Sequence, residues 1–187
     1  MAFAELQYQN LTRTLIFVYC QQELKGETET MGLSDCPARY TGGIEGLHLM
    51  EEVMSREEEA ALLKWLDGGE WEKLNNRRVQ HFGYRFKYGR NQIDKNEREG
   101  LLPPFLQPLL AALANIPILK LVSFDQLTVN DYFAGDGIPA HFDTHSPFEE
   151  VFISVSLLSG LVMDFRRFDG QERNVYLPAR SVAIFSG

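Results

Sequence analysis

His141 and Asp143 stand two residues apart in the run Ile138-Pro139-Ala140-His141-Phe142-Asp143-Thr144-His145. On an extended strand, residues i and i+2 share a face, so an imidazole nitrogen and a carboxylate oxygen would be offered side by side. That is two thirds of the 2-His-1-carboxylate set that holds non-haem Fe(II) and leaves coordination positions open. His145 cannot complete the set on a straight strand. Positions i and i+4 lie about 13 Å apart at roughly 3.3 Å per residue, whereas ligands converge on one ion at about 2 Å. Pro147 ends the strand near there, so only a sharp bend would bring the two imidazoles together. His48 and His81 lie upstream at no informative spacing, and no histidine follows His145. Alone, His-x-Asp is a weak signal, and its bland counterpart is a surface His beside a loop Asp.

The elements that would position this pair are legible from periodicity. Phe124 to Phe133 alternates, with Leu127, Val129, Asp131 and Phe133 on one face and Gln126, Thr128, Asn130 and Tyr132 on the other. The pattern alone makes the second set an outward strand face. Gly135-Asp136-Gly137 then turns the chain into the His141 segment. Glu150 to Leu158 reads as a core strand through Val151, Ile153, Val155 and Leu157. Leu161 to Arg166 and Arg173 to Leu177 form a hairpin across Asp169-Gly170, and Ser181 to Phe185 is a last strand. Ser55-Arg56-Glu57-Glu58 is a capping box that opens a helix burying Ala60, Leu62, Leu63 and Leu66, stopped at Gly68-Gly69. The acidic run Glu57 to Glu59 is expected to be a solvated first turn rather than paired catalytic carboxylates. Leu101 to Asn115 reads as a second helix, with Pro108 as an alternative start.

A second informative stretch covers residues 74–93, where Arg77, Arg78, Arg85, Lys87 and Arg90 occur without one acidic residue. From Phe82 to Tyr88 the period is two, setting Phe82, Tyr84, Phe86 and Tyr88 opposite Gly83, Arg85 and Lys87. Such a ribbon suits a lid that stacks a base and touches phosphates. The structural alternative is a half-buried edge strand with core aromatics and solvated charges.

Composition sets bounds. The chain has 187 residues, 44% of them apolar, with room for one domain. Eighteen Lys and Arg against 26 Asp and Glu give a net charge of −8, which argues against nonspecific binding of nucleic acid over the whole surface and confines any RNA contact to a local patch. Cys20 and Cys36 make no disulfide framework, so a reducing compartment is the default. Leu15 to Cys20 is too short to span a bilayer, no membrane partner is expected, and the N-terminus lacks the positive segment of a secretory signal.

Over a longer run the sequence resembles the AlkB-type Fe(II)/2-oxoglutarate oxygenases, most of all the branch acting on wobble uridine of tRNA. The resemblance rests on Thr128-Val129-Asn130-Asp131-Tyr132 and on Gly135 through Ser146. It continues through Val155-Ser156-Leu157, Val162-Met163-Asp164-Phe165, Asp169-Gly170 and Leu177-Pro178-Ala179-Arg180-Ser181, reaches back to Arg78 to Tyr84, and covers about residues 44 to 187. It implies an α+β, mainly β fold: a double-stranded β-helix (jelly roll) with flanking helices, its final strands missing. It places Fe(II) on His141 and Asp143 and 2-oxoglutarate on Asn130 and Tyr132. Arg77, Arg78, Tyr84, Arg85 and Lys87 fall to a substrate lid for tRNA, and no DNA partner is expected. His145 matches a zinc position whose partner cysteines are lacking, so no zinc is expected. The family's distal His and co-substrate Arg would follow the last strand, so activity is expected to be impaired.

The resemblance also suggests a division into residues 1–22, a remnant of an RNA-recognition module; 23–43, a linker; and 44–187, the oxygenase domain. The implied location is the cytoplasm, and the nucleus as well. The implied reaction is hydroxylation of a 5-methoxycarbonylmethyl group on wobble uridine. Two alternatives stand beside it: a non-catalytic interaction module, and an AlkB-type demethylase of alkylated bases. No methyl transfer is assigned.

Overall fold

The computed structural model describes residues 2–7, 15–20, 43–87, 92–98, 100–119, 122, 124–133, 135–141, 151–167 and 169–186. The expected linker, Asp143 and His145 lie outside them, apart from residue 43 of the linker. The chain is mainly sheet with few helices. In order, the strands are β1 (Ala2–Gln7), β2 (Leu15–Cys20), β3 (Leu47–Met50), β4 (Glu72–Lys73), β5 (Arg78–Phe82), β6 (Tyr84–Lys87), β7 (Gln92–Arg98), β8 (Phe124–Asp131), β9 (Gly137–His141), β10 (Val151–Ser156), β11 (Leu161–Arg167), β12 (Glu172–Leu177) and β13 (Val182–Ser186). Helix α1 (Arg56–Asp67) precedes β4, and α2 (Gln107–Ala114) precedes β8.

Alternation of side chains forces a layered arrangement. On β8, Leu127 and Val129 join Ile153 and Val155 of β10 and Val182 and Ile184 of β13 in a core closed by α1 and α2, through Leu62, Leu66, Leu109 and Leu113. The opposite face of that sheet meets the second sheet. Leu47 and Leu49 of β3, Ala183 of β13 and Tyr132 pack with Leu161, Met163 and Phe165 of β11 and Val175 and Leu177 of β12. The helix-side sheet runs β3-β13-β10-β2-β8-β5-β4, the other runs β12-β11-β1-β9, and β6 pairs with β7 alone. The pairings are antiparallel.

The N-terminal strands hold a position that periodicity did not disclose. A lone strand cannot satisfy its own edges. Here β2 lies between β10 and β8, and β1 between β11 and β9. Residues 2–7 and 15–20 are thus hydrogen-bonded into the same two sheets as the segment that was expected to form a domain apart from them.

Helix α1 follows its signals. Ser55 Oγ accepts from the Glu58 backbone N–H at 3.1 Å, and Glu58 Oε2 accepts from the Ser55 N–H at 2.7 Å. Hydrogen bonding by the Ser55 backbone, and then by its hydroxyl, holds the exposed Glu58 carboxyl below its ordinary range. Gly68 caps the end in a right-handed conformation. Pro108 falls in the first turn of α2, where a missing N–H costs nothing.

Glu59 departs from the expectation of a solvated turn. It is buried, its Oε1 accepts from the Leu158 backbone N–H at 2.6 Å, and its Oε2 accepts from Arg180 Nη1 at 3.2 Å. Leu158 and Arg180 hold left-handed φ angles of 65° and 59° in the turns that follow β10 and β12. Both conformations are unfavourable for residues with a Cβ and persist only where surroundings fix them; one carboxylate fixes both. Glu59→Ala is expected to cost about 1–3 kcal/mol, since it strips the partner from the half-buried Arg180 guanidinium and from the Leu158 N–H. A urea midpoint within error of the wild type would contradict this role.

Candidate active site

The end of β8 and the start of β9 meet at a polar cluster. Asn130 and Tyr132 are 4% and 1% exposed, on the face turned toward the second sheet. Arg77, just before β5, donates through Nε to Asn130 Oδ1 at 2.8 Å, and its guanidinium carbon lies 6.0 Å from the Tyr132 ring centroid. Asn76 donates to the carbonyl of Gly137, the first residue of β9. Two adjacent side chains therefore tie the strand carrying Asn130 to the strand carrying His141. This overturns the reading from periodicity, which made the Asn130 and Tyr132 face an outward one: both side chains are buried.

The register of β9 against β1 is irregular. Leu6 of β1 pairs with Ile138, but Ala4 pairs with His141, so two steps along β1 match three along β9. This bulge carries one extra residue between Ile138 and His141. Ala4 and Leu6 also pair with Phe165 and Met163 of β11. The backbone of His141 is thereby placed in the strand that Asn76 ties to the end of β8.

The second-sheet face of β8 and β10 is polar. Gln126, Thr128 and Asn130 on β8, and Ser154 and Ser156 on β10, are all at most 5% exposed. Thr128 Oγ1 and His81 Nδ1 are 3.0 Å apart. Both amide atoms of Gln126 and the hydroxyls of Ser154, Ser156 and Ser181 have no hydrogen-bond partner among the described residues. Buried polar atoms are ordinarily paired, so this face has hydrogen-bonding capacity to offer a polar partner. With the Arg77 cation beside Asn130, it fits an anionic, oxygen-rich ligand such as a dicarboxylate. Serines alternating with Ile153 and Val155 were the sequence signal for this face, visible once β10 was read as a strand.

The basic stretch is divided by the structure. Arg78 Nε lies 2.6 Å from Asp131 Oδ2, Asp131 being 1% exposed, and the guanidinium carbon sits 4.4 Å from the Trp71 ring centroid. Arg78 is committed to a structural ion pair. The continuous period-two ribbon is broken at Gly83, whose φ is +84° and whose Cβ, if present, would fall on the Asp125 carbonyl oxygen. Phe82, before the break, packs on the helix-side core, 5.4 Å from the Trp65 ring centroid. Tyr84, Arg85 and Lys87 follow on β6, in the separate β6–β7 hairpin. His81 is bonded to β8, and His48 lies on β3.

No protein-family model matches the chain. Mouse tRNA (carboxymethyluridine(34)-5-O)-methyltransferase ALKBH8 is 40% identical over 180 residues, covering 92% of this chain and 26% of that protein. The Arabidopsis thaliana alkylated DNA repair protein ALKBH8 homolog is 35% identical over 201 residues, covering 94% and 57%. Uncharacterized protein L905 of Acanthamoeba polyphaga mimivirus is 30% identical over 146 residues, covering 75% and 67%. The chain belongs to the AlkB-like family. Its AlkB-like relatives include proteins that carry the name ALKBH8, and it spans about a quarter to somewhat over half the length of the first two.

Two substitutions test the structural roles of Arg78 and Gly83. Arg78→Ala should destabilise the fold by about 3 kcal/mol, because it removes a charge partner from a buried carboxylate; a stability loss below about 0.5 kcal/mol in urea melts would refute that assignment. Gly83→Ala should lower the melting temperature as well, since both the left-handed φ and the neighbouring carbonyl reject a Cβ. An unchanged melting curve would contradict the close approach.

Proposed function

We propose that the chain is an AlkB-like oxygenase unit with a jelly-roll core, and that it hydroxylates the 5-methoxycarbonylmethyl group of wobble uridine in tRNA. The observation that supports it most is the tie made by Asn76 and Arg77 between the strand carrying His141 and the buried, polar Asn130. In this reading His141 and Asp143 hold Fe(II), and Asn130 and Tyr132 hold 2-oxoglutarate, with Arg77 supplying positive charge for its carboxylates. When bound, the ferrous ion together with 2-oxoglutarate and O2 supplies the oxidising chemistry, whose products are succinate, CO2 and a hydroxylated carbon. The residues of this chain bind and orient the co-substrate, keep the site enclosed between two sheets, and present the nucleotide.

Presentation of tRNA falls to the β6–β7 hairpin, through Tyr84, Arg85 and Lys87. Support comes from the way the hairpin leaves the sheet at Gly83, next to the strand that carries Asn130. Arg77 and Arg78 serve this surface indirectly, through Asn130 and Asp131. Among the described residues no helix is long and apolar enough to cross a membrane. The printed name of the Arabidopsis relative favours a second reading, removal of alkyl groups from damaged bases, by the same chemistry on a different pocket occupant.

His141→Ala is expected to abolish Fe(II) binding in anaerobic titration while the fold persists; wild-type iron stoichiometry in that variant would sink the assignment. Arg77→Ala should raise the 2-oxoglutarate concentration needed for half-maximal binding about tenfold, the equivalent of one charge-assisted bond of about 1.4 kcal/mol. Binding unaffected by the change would place the co-substrate elsewhere.

A further inference from the structure

We infer that Ala2–Gln7 and Leu15–Cys20 are in-chain donor strands: each fills the interior gap of one sheet, and β1 thereby positions the His141 strand. Four observations lead there. First, β2 is the link between β10 and β8, and β1 the link between β11 and β9. Taking β1 and β2 away leaves β3-β13-β10 and β8-β5-β4 without a common ladder, and separates β9 from β11-β12.

Second, the gaps are interior. Each would leave two rows of backbone N–H and C=O groups unpaired between hydrophobic layers, where such groups are costly. Third, the pairing is continuous: Ala2 to Gln7 run against Arg167 to Val162, and Leu15 to Ser156 begins a register that continues to Tyr19 with Phe152. Fourth, both strands touch the site through the backbone, Leu15 in register with Asn130 and Ala4 in register with His141.

The bulge between Ile138 and His141 is a mismatch between β9 and β1, so the backbone register of His141 depends on β1 being in place. The donor role is a matter of strand pairing alone. Its consequence for His141 rests on the function proposed above.

The test is amide hydrogen exchange on the full chain, compared with Val18→Pro, which removes a ladder donor from the centre of β2. Exchange at residues 126–130 and 152–156 should accelerate at least tenfold together, while the β11–β12 hairpin keeps its protection. Unchanged protection on either β8 or β10 would overturn the inference. Should the proline variant fail to fold, a second readout stands in: Phe3→Cys with Arg166→Cys, in a chain also carrying Cys20→Ser and Cys36→Ser. Directly opposed antiparallel residues lie within reach of a disulfide, so mild oxidation should give a cross-linked monomer. No cross-link, or a cross-linked dimer in its place, overturns the in-chain placement. Neither readout involves iron, so loss of the metal assignment would leave this result standing, and the reverse.

Discussion

One extra residue between Ile138 and His141 sets the register of β9 against β1. A strand offers two faces and nothing between, so a slip of one position reverses the alternation beyond it. The bulge against β1 performs that slip in the middle of β9. Upstream of it, Ile138 packs against the core and Pro139 is exposed. Beyond it, the backbone of His141 is in register with Ala4, which also pairs with Phe165.

That interior is divided in character. At the β3, β13, β11 and β12 end it is a dry core of Leu47, Leu49, Leu161, Met163 and Leu177. At the β8 and β10 end it is lined by Gln126, Thr128, Asn130, Ser154 and Ser156. The same two strands turn apolar residues toward the helices, so the polar choice is specific to one face. Burying these groups weakens the fold unless something pairs with them, and cohesion comes instead from the helix-side core and from Glu59, which pins two left-handed turns at once. One face of the sheet is apolar throughout its contact with the helices, and the other passes from a dry core to a polar lining.

Much of this was legible in the residues. Alternation located β8, β10, β11, β12 and β13, and the capping box set the start of α1 to the residue. Local rules failed where partners were remote. Glu59 looks like any first-turn glutamate until Leu158 and Arg180 fold against it. Arg78 looks like a free cation until Asp131, across the sheet, claims it. Phe82 to Tyr88 reads as one ribbon because periodicity does not register that Gly83 must let a neighbouring backbone through. Periodicity put Asn130 and Tyr132 on an outward face for the same reason: a polar strand face in the interior looks like a solvated one until the opposing sheet is known. The role of β1 and β2 was the least accessible, since both pair with strands far downstream.

The account stands on His141 and the Asn130 face sharing one enclosed space. Paramagnetic broadening by Mn(II), a stand-in for Fe(II), tests this directly on isotope-labelled full chain. Resonances of Asn130, including its side-chain amide, and of Tyr132 should broaden at substoichiometric Mn(II), and the broadening should vanish in His141→Ala. Broadening that spares Asn130 and Tyr132, or that survives loss of His141, would contradict the shared site.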